Sequence, residues 1–440
     1  MTTLTIRDAV ERAATYPHAI ASFVDADGYP MTVAGPFTAD AETGAIEVGP
    51  FDATVLPATG AEVCVTFSHV RPQPGIGYDE RRYVNIWGGA EIAGDRLRVT
   101  GVRAAGWDEA EVPFFEYAER SVPEAHRYFA EVGARPTLSR WWTFVLAVRL
   151  PVLTATIVPI ALGGAVAAYD GAFAWGWWLL ALVAGCAVHL GLNIANDLSD
   201  DVTGADAANV TPTPFSGGSR VMQYGLVSRR AMQRACVACY AIAVGLGLVM
   251  VAARGAALLW IGAVGVVLSL QYTGAPLRLV YRGLGEPVTA LGFGPIMTIG
   301  AYYVCAREWS WPAIYASLPV AIFIALVLYV NQVPDRAGDA AVGKRTLIVR
   351  WRPERVRSAY AAATTAAFLL IAAGPLLGFT PWWTLAALAT VPLARSVGRG
   401  LRDSYDRPYE LMPSMQRNIA LHFASGLLLV AGWIVATLVG

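Results

Sequence analysis

Residues 193–206 read Asn-Ile-Ala-Asn-Asp-Leu-Ser-Asp-Asp-Val-Thr-Gly-Ala-Asp, four carboxylates and two asparagines directly after the apolar run 175–192. Carboxylates at the mouth of a hydrophobic helix are costly unless something partners them. If the helix continues, His189, Asn193, Asn196 and Asp200 recur at four, three and four residues and share one face. Such a row of oxygen donors suits a hard divalent cation, Mg²⁺ above all where phosphates complete its shell. Taken alone, the segment reads equally well as a solvated helix end with Asn and Asp as caps.

A second segment tips that balance. Asn331-Gln-Val-Pro-Asp335-Arg-Ala-Gly-Asp339, followed by Gly343-Lys344-Arg345-Thr346, also closes a long apolar run. Asp335 and Asp339 are four apart, so on a helix they can share one metal, with Asn331 extending the row. Pro334 predicts a break or a new start of the helical turn. Two acidic rows, each ending an apolar helix and each followed by basic residues, are hard to explain as unrelated caps. Lys344, the only lysine of the chain, stands beside the second row.

The elements that must position these rows are membrane helices. Of 440 residues, 55% are hydrophobic, and mean hydropathy is +0.47. That composition belongs to the membrane class, and the balance of 33 basic against 33 acidic residues argues against a nucleic-acid partner. Apolar runs at 142–168, 175–194, 236–253, 257–271, 288–305, 312–330, 360–377, 381–394 and 419–439 predict an all-α polytopic bundle of about nine transmembrane helices over residues 139–440. Arginines gather after the second, fourth, sixth and eighth runs. The positive-inside rule then places the N-terminus in the cytoplasm, the C-terminus outside, and both acidic rows on the cytoplasmic side. Cys236 and Cys239 form a C-x-x-C pair inside an apolar helix with no second pair, which disfavours zinc or redox chemistry.

Residues 1–138 differ in kind. The first thirty positions lack a basic start followed by an apolar core, so this part is expected to remain cytoplasmic. A short helix at 6–15 precedes β-prone runs at 19–24, 31–33, 45–48, 62–67, 83–92 and 96–99. Asp27-Gly28, Thr43-Gly44 and Gly94-Asp95 supply turn signals, while Gly75-Ile-Gly77 is too short a glycine signal to decide anything. Residues 114–132 read as a helix leading to the membrane. The expectation is a small soluble β-barrel with flanking helices.

Residues 193–206 together with 331–347 closely resemble the two Asp-rich signatures of the UbiA superfamily of intramembrane prenyltransferases, a resemblance that covers the whole membrane part. Phe215-Ser-Gly-Gly-Ser-Arg220, Gln271-Tyr-Thr-Gly-Ala-Pro276, Tyr281-Arg-Gly-Leu-Gly-Glu286 and Arg149-Leu-Pro151 make it most similar to the branch that prenylates 1,4-dihydroxy-2-naphthoate for menaquinone. Many members carry Asp where this chain has Gly204, and Asp206 is the nearest substitute.

The resemblance implies Mg²⁺ held by Asn196, Asp197, Asp200, Asp335 and Asp339 around the diphosphate of a polyprenyl donor. The aspartates and Lys344 would be catalytic, and Arg149, Asn193, Arg220, Tyr272, Arg278 and Arg345 would bind substrate. Tyr272, Tyr302 and Tyr303 are candidates to shield an allylic cation. The loop 216–220 could cradle phosphate or be mobile. His189 could orient the acceptor or make a helix–helix hydrogen bond. The stretch Ala19-Ile-Ala-Ser-Phe-Val-Asp-Ala-Asp-Gly-Tyr-Pro resembles the split-barrel flavin-binding proteins related to pyridoxamine-phosphate oxidase. That implies FMN, a homodimer through the barrel, and Arg71, Arg81 or Arg82 at the flavin phosphate; the alternative is a barrel that serves as a partner module.

The reading that follows is Mg²⁺-dependent transfer of a polyprenyl chain to an aromatic acceptor within the lipid bilayer. Other acceptors (another quinone head group, a glycerol lipid, a sugar phosphate) are open alternatives. So are a cation pathway, which the basic residues beside each row disfavour, and a flavin-dependent quinone reductase in the barrel.

Overall fold

A computed structural model describes residues 2–25, 28–73, 77–131, 138–209 and 211–439. Asp27 of the expected Asp27-Gly28 turn, Gly75 and Ile76 of the short glycine signal, and Val132 at the end of the expected helix lie outside the described residues. The chain divides into two units, Met1–Ala125 and His126–Gly440.

In the first unit β1 (Thr2–Leu4) and α1 (Ile6–Ala13) precede β2 (Ala19–Val24), β3 (Pro30–Gly35), β4 (Phe37–Asp40), β5 (Ala45–Val48), β6 (Glu62–Gln73), β7 (Gly77–Ala93) and β8 (Arg96–Asp108). All pairings are antiparallel, in the order β3-β2-β6-β7-β8-β5-β4 with β1 on β8, and the sheet curls into a half-barrel. Alternation decides which face is inside: Ala19, Ala21 and Phe23 of β2 point inward with Val63, Val65 and Phe67 of β6. The apolar stripe Ala9, Val10 and Ala13 of α1 closes that core. Gly44 and Gly94 sit at positive φ in the tight connections that the sequence predicted. β1 and β4 are not among the runs expected from the sequence.

Helix α2 (Phe114–Glu131) is followed in the second unit by α3 (Arg140–Ala147), α4 (Thr154–Tyr169), α5 (Trp175–Thr203), α6 (Ala205–Ala208), α7 (Arg229–Arg254) and α8 (Ala257–Thr273). Then come α9 (Gly285–Leu291), a π turn at Gly292–Ile296, α10 (Met297–Ala306), α11 (Trp311–Asn331), α12 (Arg336–Ala341), α13 (Leu347–Arg350), α14 (Pro353–Leu376), α15 (Val391–Asp403) and α16 (Pro408–Val439). Among the described residues six helices are long and apolar enough to cross a bilayer: α5, α7, α9–α10, α11, α14 and α16; α4 and α8 are shorter apolar helices. This is a multi-pass membrane protein. Its outer surface is apolar, with Leu179, Val237, Leu248, Trp260 and Leu369 exposed where lipid would lie.

Two expected spans fold differently. The run 142–168 breaks at Arg149, which adopts φ 53° ahead of the 3₁₀ turn Leu150–Leu153, because Pro151 has no N–H to continue a helix. The run 381–394 is a 3₁₀ helix over Trp382–Thr390 that passes into α15. Inside the bundle, α4 and α10 approach so closely that a Cβ at Gly163 would stand 2.2 Å from the Thr298 carbonyl oxygen. Small residues allow such contact where water supplies no hydrophobic drive.

Candidate active site

Helix α5 is unbroken to Thr203, so the four-three-four spacing does form one face, and His189, Asn193, Asn196 and Asp200 line a single cavity. Asn196 Nδ2 donates to Asp200 Oδ2 (3.0 Å), and Asn193 Nδ2 donates to the Val148 carbonyl (3.2 Å). Asp197 lies beneath this face, buried, where its carboxylate accepts from Arg149 Nη2 (2.8 Å) and from the Ser219 N–H (3.2 Å). The helix stops at Gly204, whose φ of 75° suits a residue without Cβ. The turn there sends Asp206, on α6, back to the same cavity.

The second row comes from α11. The helix ends at Asn331, Pro334 falls in the break that follows, and α12 starts at Arg336 with Asp335 as its N-cap. The Asp339 N–H donates to the Asp335 carbonyl (2.8 Å), so the two carboxylates stand one helical turn apart. Asp335 accepts from Asn209 Nδ2 (2.7 Å) and from the Gly217 N–H (3.1 Å). Loop 216–220 therefore bonds to both acidic rows, through Gly217 to Asp335 and through Ser219 to Asp197. Gly217 and Gly218, at φ 78° and 74°, permit that path. Arg220, buried behind the loop, donates from Nη1 to the Asp206 carbonyl (2.9 Å).

Lys344 joins the rows directly. Its Nζ is 3.5 Å from Asp200 Oδ2 and 3.4 Å from Asp339 Oδ1. Burial alone would lower the ammonium, but Asp200 and Asp339 outweigh it and keep it protonated. Burial pushes the Asp339 carboxyl up to about 7 against the pull of Lys344, with Asp335 and Asp200 adding to the rise. Burial, then the charges of Asp200 and Asp197, push Asp206 up to about 8.

These groups surround a cavity of about 210 Å³ that also exposes Arg149, Asn331 and Gln332. A second, apolar chamber of about 180 Å³ adjoins it and shares Leu192, Tyr272, Thr289 and Phe293 with it. The donor chemistry fits a hard cation. Asp200 Oδ1, Asn331 Oδ1 and Gln332 Oε1 are buried oxygens with no hydrogen-bond partner among the described residues. Among those residues no three acidic, histidine or cysteine side chains converge as a ready-made metal shell. The donors instead ring a space that phosphate oxygens would complete.

The UbiA prenyltransferase family model matches residues 157–421, more than half of the chain. The 1,4-dihydroxy-2-naphthoate octaprenyltransferase of Mycobacterium tuberculosis is 30% identical over 255 residues, 57% of this chain and 83% of that one. The chain belongs to the UbiA prenyltransferase family. It is similar, too, to the 2-carboxy-1,4-naphthoquinone phytyltransferase of Synechocystis, 29% identical over 301 residues, 68% of this chain and 94% of that one. A solved UbiA homologue from Archaeoglobus fulgidus, bound to GPP and Mg²⁺, aligns with a TM-score of 0.45 at 16% identity, over 66% of this chain and 99% of that one.

Against that family frame, the structure brings Arg149, Asn193, Asn196, Asp200, Tyr272, Asp335, Asp339 and Lys344 to one cavity, with Asp197 and Arg220 packed behind it. Arg278 and Arg345 are not part of the lining: both are exposed, and the Arg278 guanidinium lies over the Tyr281 ring. Tyr302 donates to Asp170, at the far end of α4 from Arg149, and Tyr303 packs on Trp309, so neither faces this cavity. His189 shares a hydrogen bond between Nδ1 and Thr156 (2.8 Å) and sets its ring edge against Phe293.

Sequence reasoning missed Asn209, Gln223 and His422. Asn209 holds Asp335, Gln223 Nε2 donates to Asp206 (3.1 Å), and His422 lines the cavity from α16. None lies within an acidic row: Asn209 and Gln223 come from the connection between α6 and α7, and His422 from α16.

Proposed function

We propose that this UbiA-family enzyme transfers a polyprenyl chain from its diphosphate to an aromatic acceptor, 1,4-dihydroxy-2-naphthoate, with Mg²⁺. The observation that carries the reading is one cavity in which two acidic rows, Arg149 and Lys344 meet at the mouth of an apolar chamber. The names of the relatives support the acceptor.

Asn196, Asp200, Asp335 and Asp339 would hold Mg²⁺, with Asp197 fixing Arg149 beside them. The metal, when bound, neutralises diphosphate charge as the allylic C–O bond breaks. Lys344 and Arg149 add fixed positive charge against the departing oxygens. Loop 216–220, tied to Asp335 through Gly217 and to Asp197 through Ser219, borders the diphosphate and holds both acidic rows in register beside it. Tyr272, at the junction of the two compartments, presents its ring to the allylic end of the chain. The apolar chamber takes the first isoprene units and keeps water from the cation.

The six long helices, with α4, α8 and the 382–403 segment, make nine spans in this reading. Arginine placement sets the acidic rows on the cytoplasmic side. For the N-terminal half-barrel the reading is an FMN-binding module that pairs with a second copy. Arg71 is spent on Asp79 and Glu80, and Arg81 on Glu109, which leaves Arg82, over the Tyr16 ring, for the flavin phosphate. A colourless preparation with no affinity for added FMN would remove that module from the account.

Membranes containing the protein, given labelled polyprenyl diphosphate, a panel of acceptors and either Mg²⁺ or EDTA, test the main reading. Donor consumption is expected only with Mg²⁺ and an aromatic acceptor. Consumption with a glycerol phosphate or sugar phosphate instead would change the acceptor class.

A further inference from the structure

The cavity has a third wall that neither the diphosphate nor the prenyl chain accounts for. Thr154 and Ala155 of α4, Ile324 and Val327 of α11, and Ile419 and His422 of α16 form it. Packing sets this register. A Cβ at Gly426 would stand 2.2 Å from Val158, so one turn earlier on each helix Thr154 and His422 come to the cavity. The rotation of α16 is pinned one turn before His422 by Asn418, which donates to the Leu326 carbonyl (2.7 Å) and accepts from Tyr360 (3.1 Å).

His422 is 2% exposed; its ring lies against the backbone of Thr154, and beyond that contact neither ring nitrogen has a hydrogen-bond partner among the described residues. A buried imidazole with a nitrogen left so is costly unless a ligand supplies the partner, and His422 lines the cavity where one could. An imidazole both donates and accepts. On a wall whose other side chains, Thr154 apart, are apolar it matches a flat ring bearing one acidic oxygen, a phenol or an aryl carboxylate.

We infer that His422 binds the aromatic acceptor, hydrogen-bonding an oxygen on its ring and so setting the ring carbon that faces the allylic end of the donor. The inference rests on the transferase reading and adds a residue to it. Nothing covalent happens at His422: the allylic C–O bond breaks, diphosphate leaves with the electron pair, the new C–C bond forms on the ring, and that ring carbon regains aromaticity by losing its proton, or its carboxyl group as CO₂ where the carboxyl-bearing carbon is the one attacked.

The test uses the full-length protein in detergent or nanodiscs. Acceptor and donor KM are measured for wild type, His422→Leu, His422→Asn and Ala155→Phe, the last filling the same wall from α4. In parallel, binding of unreactive 1-hydroxy-2-naphthoate is followed by tryptophan fluorescence. Acceptor KM is expected to rise tenfold or more in His422→Leu and Ala155→Phe, with donor KM within twofold, and His422→Asn should recover part of the loss. Naphthoate binding should weaken in step. Unchanged acceptor KM and naphthoate binding in a folded His422→Leu overturn the assignment, as does a parallel rise of both KM values. If wild type binds the naphthoate through His422 yet transfers no prenyl group, the assignment stands and the transferase reading falls. If wild type neither binds nor reacts, both fall.

Discussion

Replacing Lys344 with methionine removes the one cation that, among the described residues, bridges the two acidic rows, while keeping most of the side-chain volume. Nζ lies 3.5 Å from Asp200 and 3.4 Å from Asp339, and the lysine is buried. At an effective dielectric near 20 each contact is worth about 4–5 kcal/mol before desolvation. Breaking a buried pair by deleting one partner costs about 3–5 kcal/mol net, because the other charge stays behind. Lys344→Met should therefore lose about that much stability in EDTA at pH 8, measured by thermal unfolding in detergent. The loss should shrink as pH falls through about 7, where Asp339, pushed up by burial, takes up a proton and no longer needs a cation. Millimolar Mg²⁺ should raise Tm more in the variant than in wild type, while prenyl transfer stays at least 100-fold down. Equal stability of wild type and Lys344→Met in EDTA at pH 8, with equal Mg²⁺ shifts, would refute the electrostatic argument.

Asp335→Ala deletes the acceptor of both Asn209 and Gly217 and should lower kcat/KM by at least 100-fold with the helical signal intact; retained turnover would count against the metal-site assignment. Because burial raises the carboxyls of Asp339 and Asp206 above their unfolded values, their contribution to metal-free stability is fully present below about 4 and lost progressively as pH rises from there through about 7 to 8. Tm in EDTA should fall over that window, and Mg²⁺ binding should release protons, which calorimetry in buffers of different ionisation enthalpy will show. Gly218→Ala adds a Cβ 2.9 Å from Asp206 Oδ1 at φ 74°, so activity should fall about tenfold or more through a misplaced loop, with α-helical content unchanged. Gly163→Ala forces α4 from α10 and should cost about 1–3 kcal/mol of stability, read as a lower Tm, without a selective change in either KM.

Much of the site could be read from residue order. The one-face spacing of His189, Asn193, Asn196 and Asp200 survives because α5 continues to Thr203, and helical periodicity is a local property. Asp335 and Asp339 keep their one-turn relation for the same reason. The inward faces of β2 and β6 follow from alternation. The break at Arg149 was harder, since apolar composition alone does not distinguish one span from a short helix, a turn and another helix.

What tertiary structure decided is which of these groups meet. Arg149 reaches Asp197 across 48 positions, Asn209 reaches Asp335 across 126, and Lys344 reaches Asp200 across 144. Sequence alone could not show that Lys344 rather than the adjacent Arg345 lines the cavity, nor that Asp206 folds back where Gly204 ends the helix. Spacing along one helix is set by bonds between near neighbours and is written in the order of residues. Partners across a bundle depend on how helices rotate and approach, and small residues and buried polar contacts on several elements fix that together.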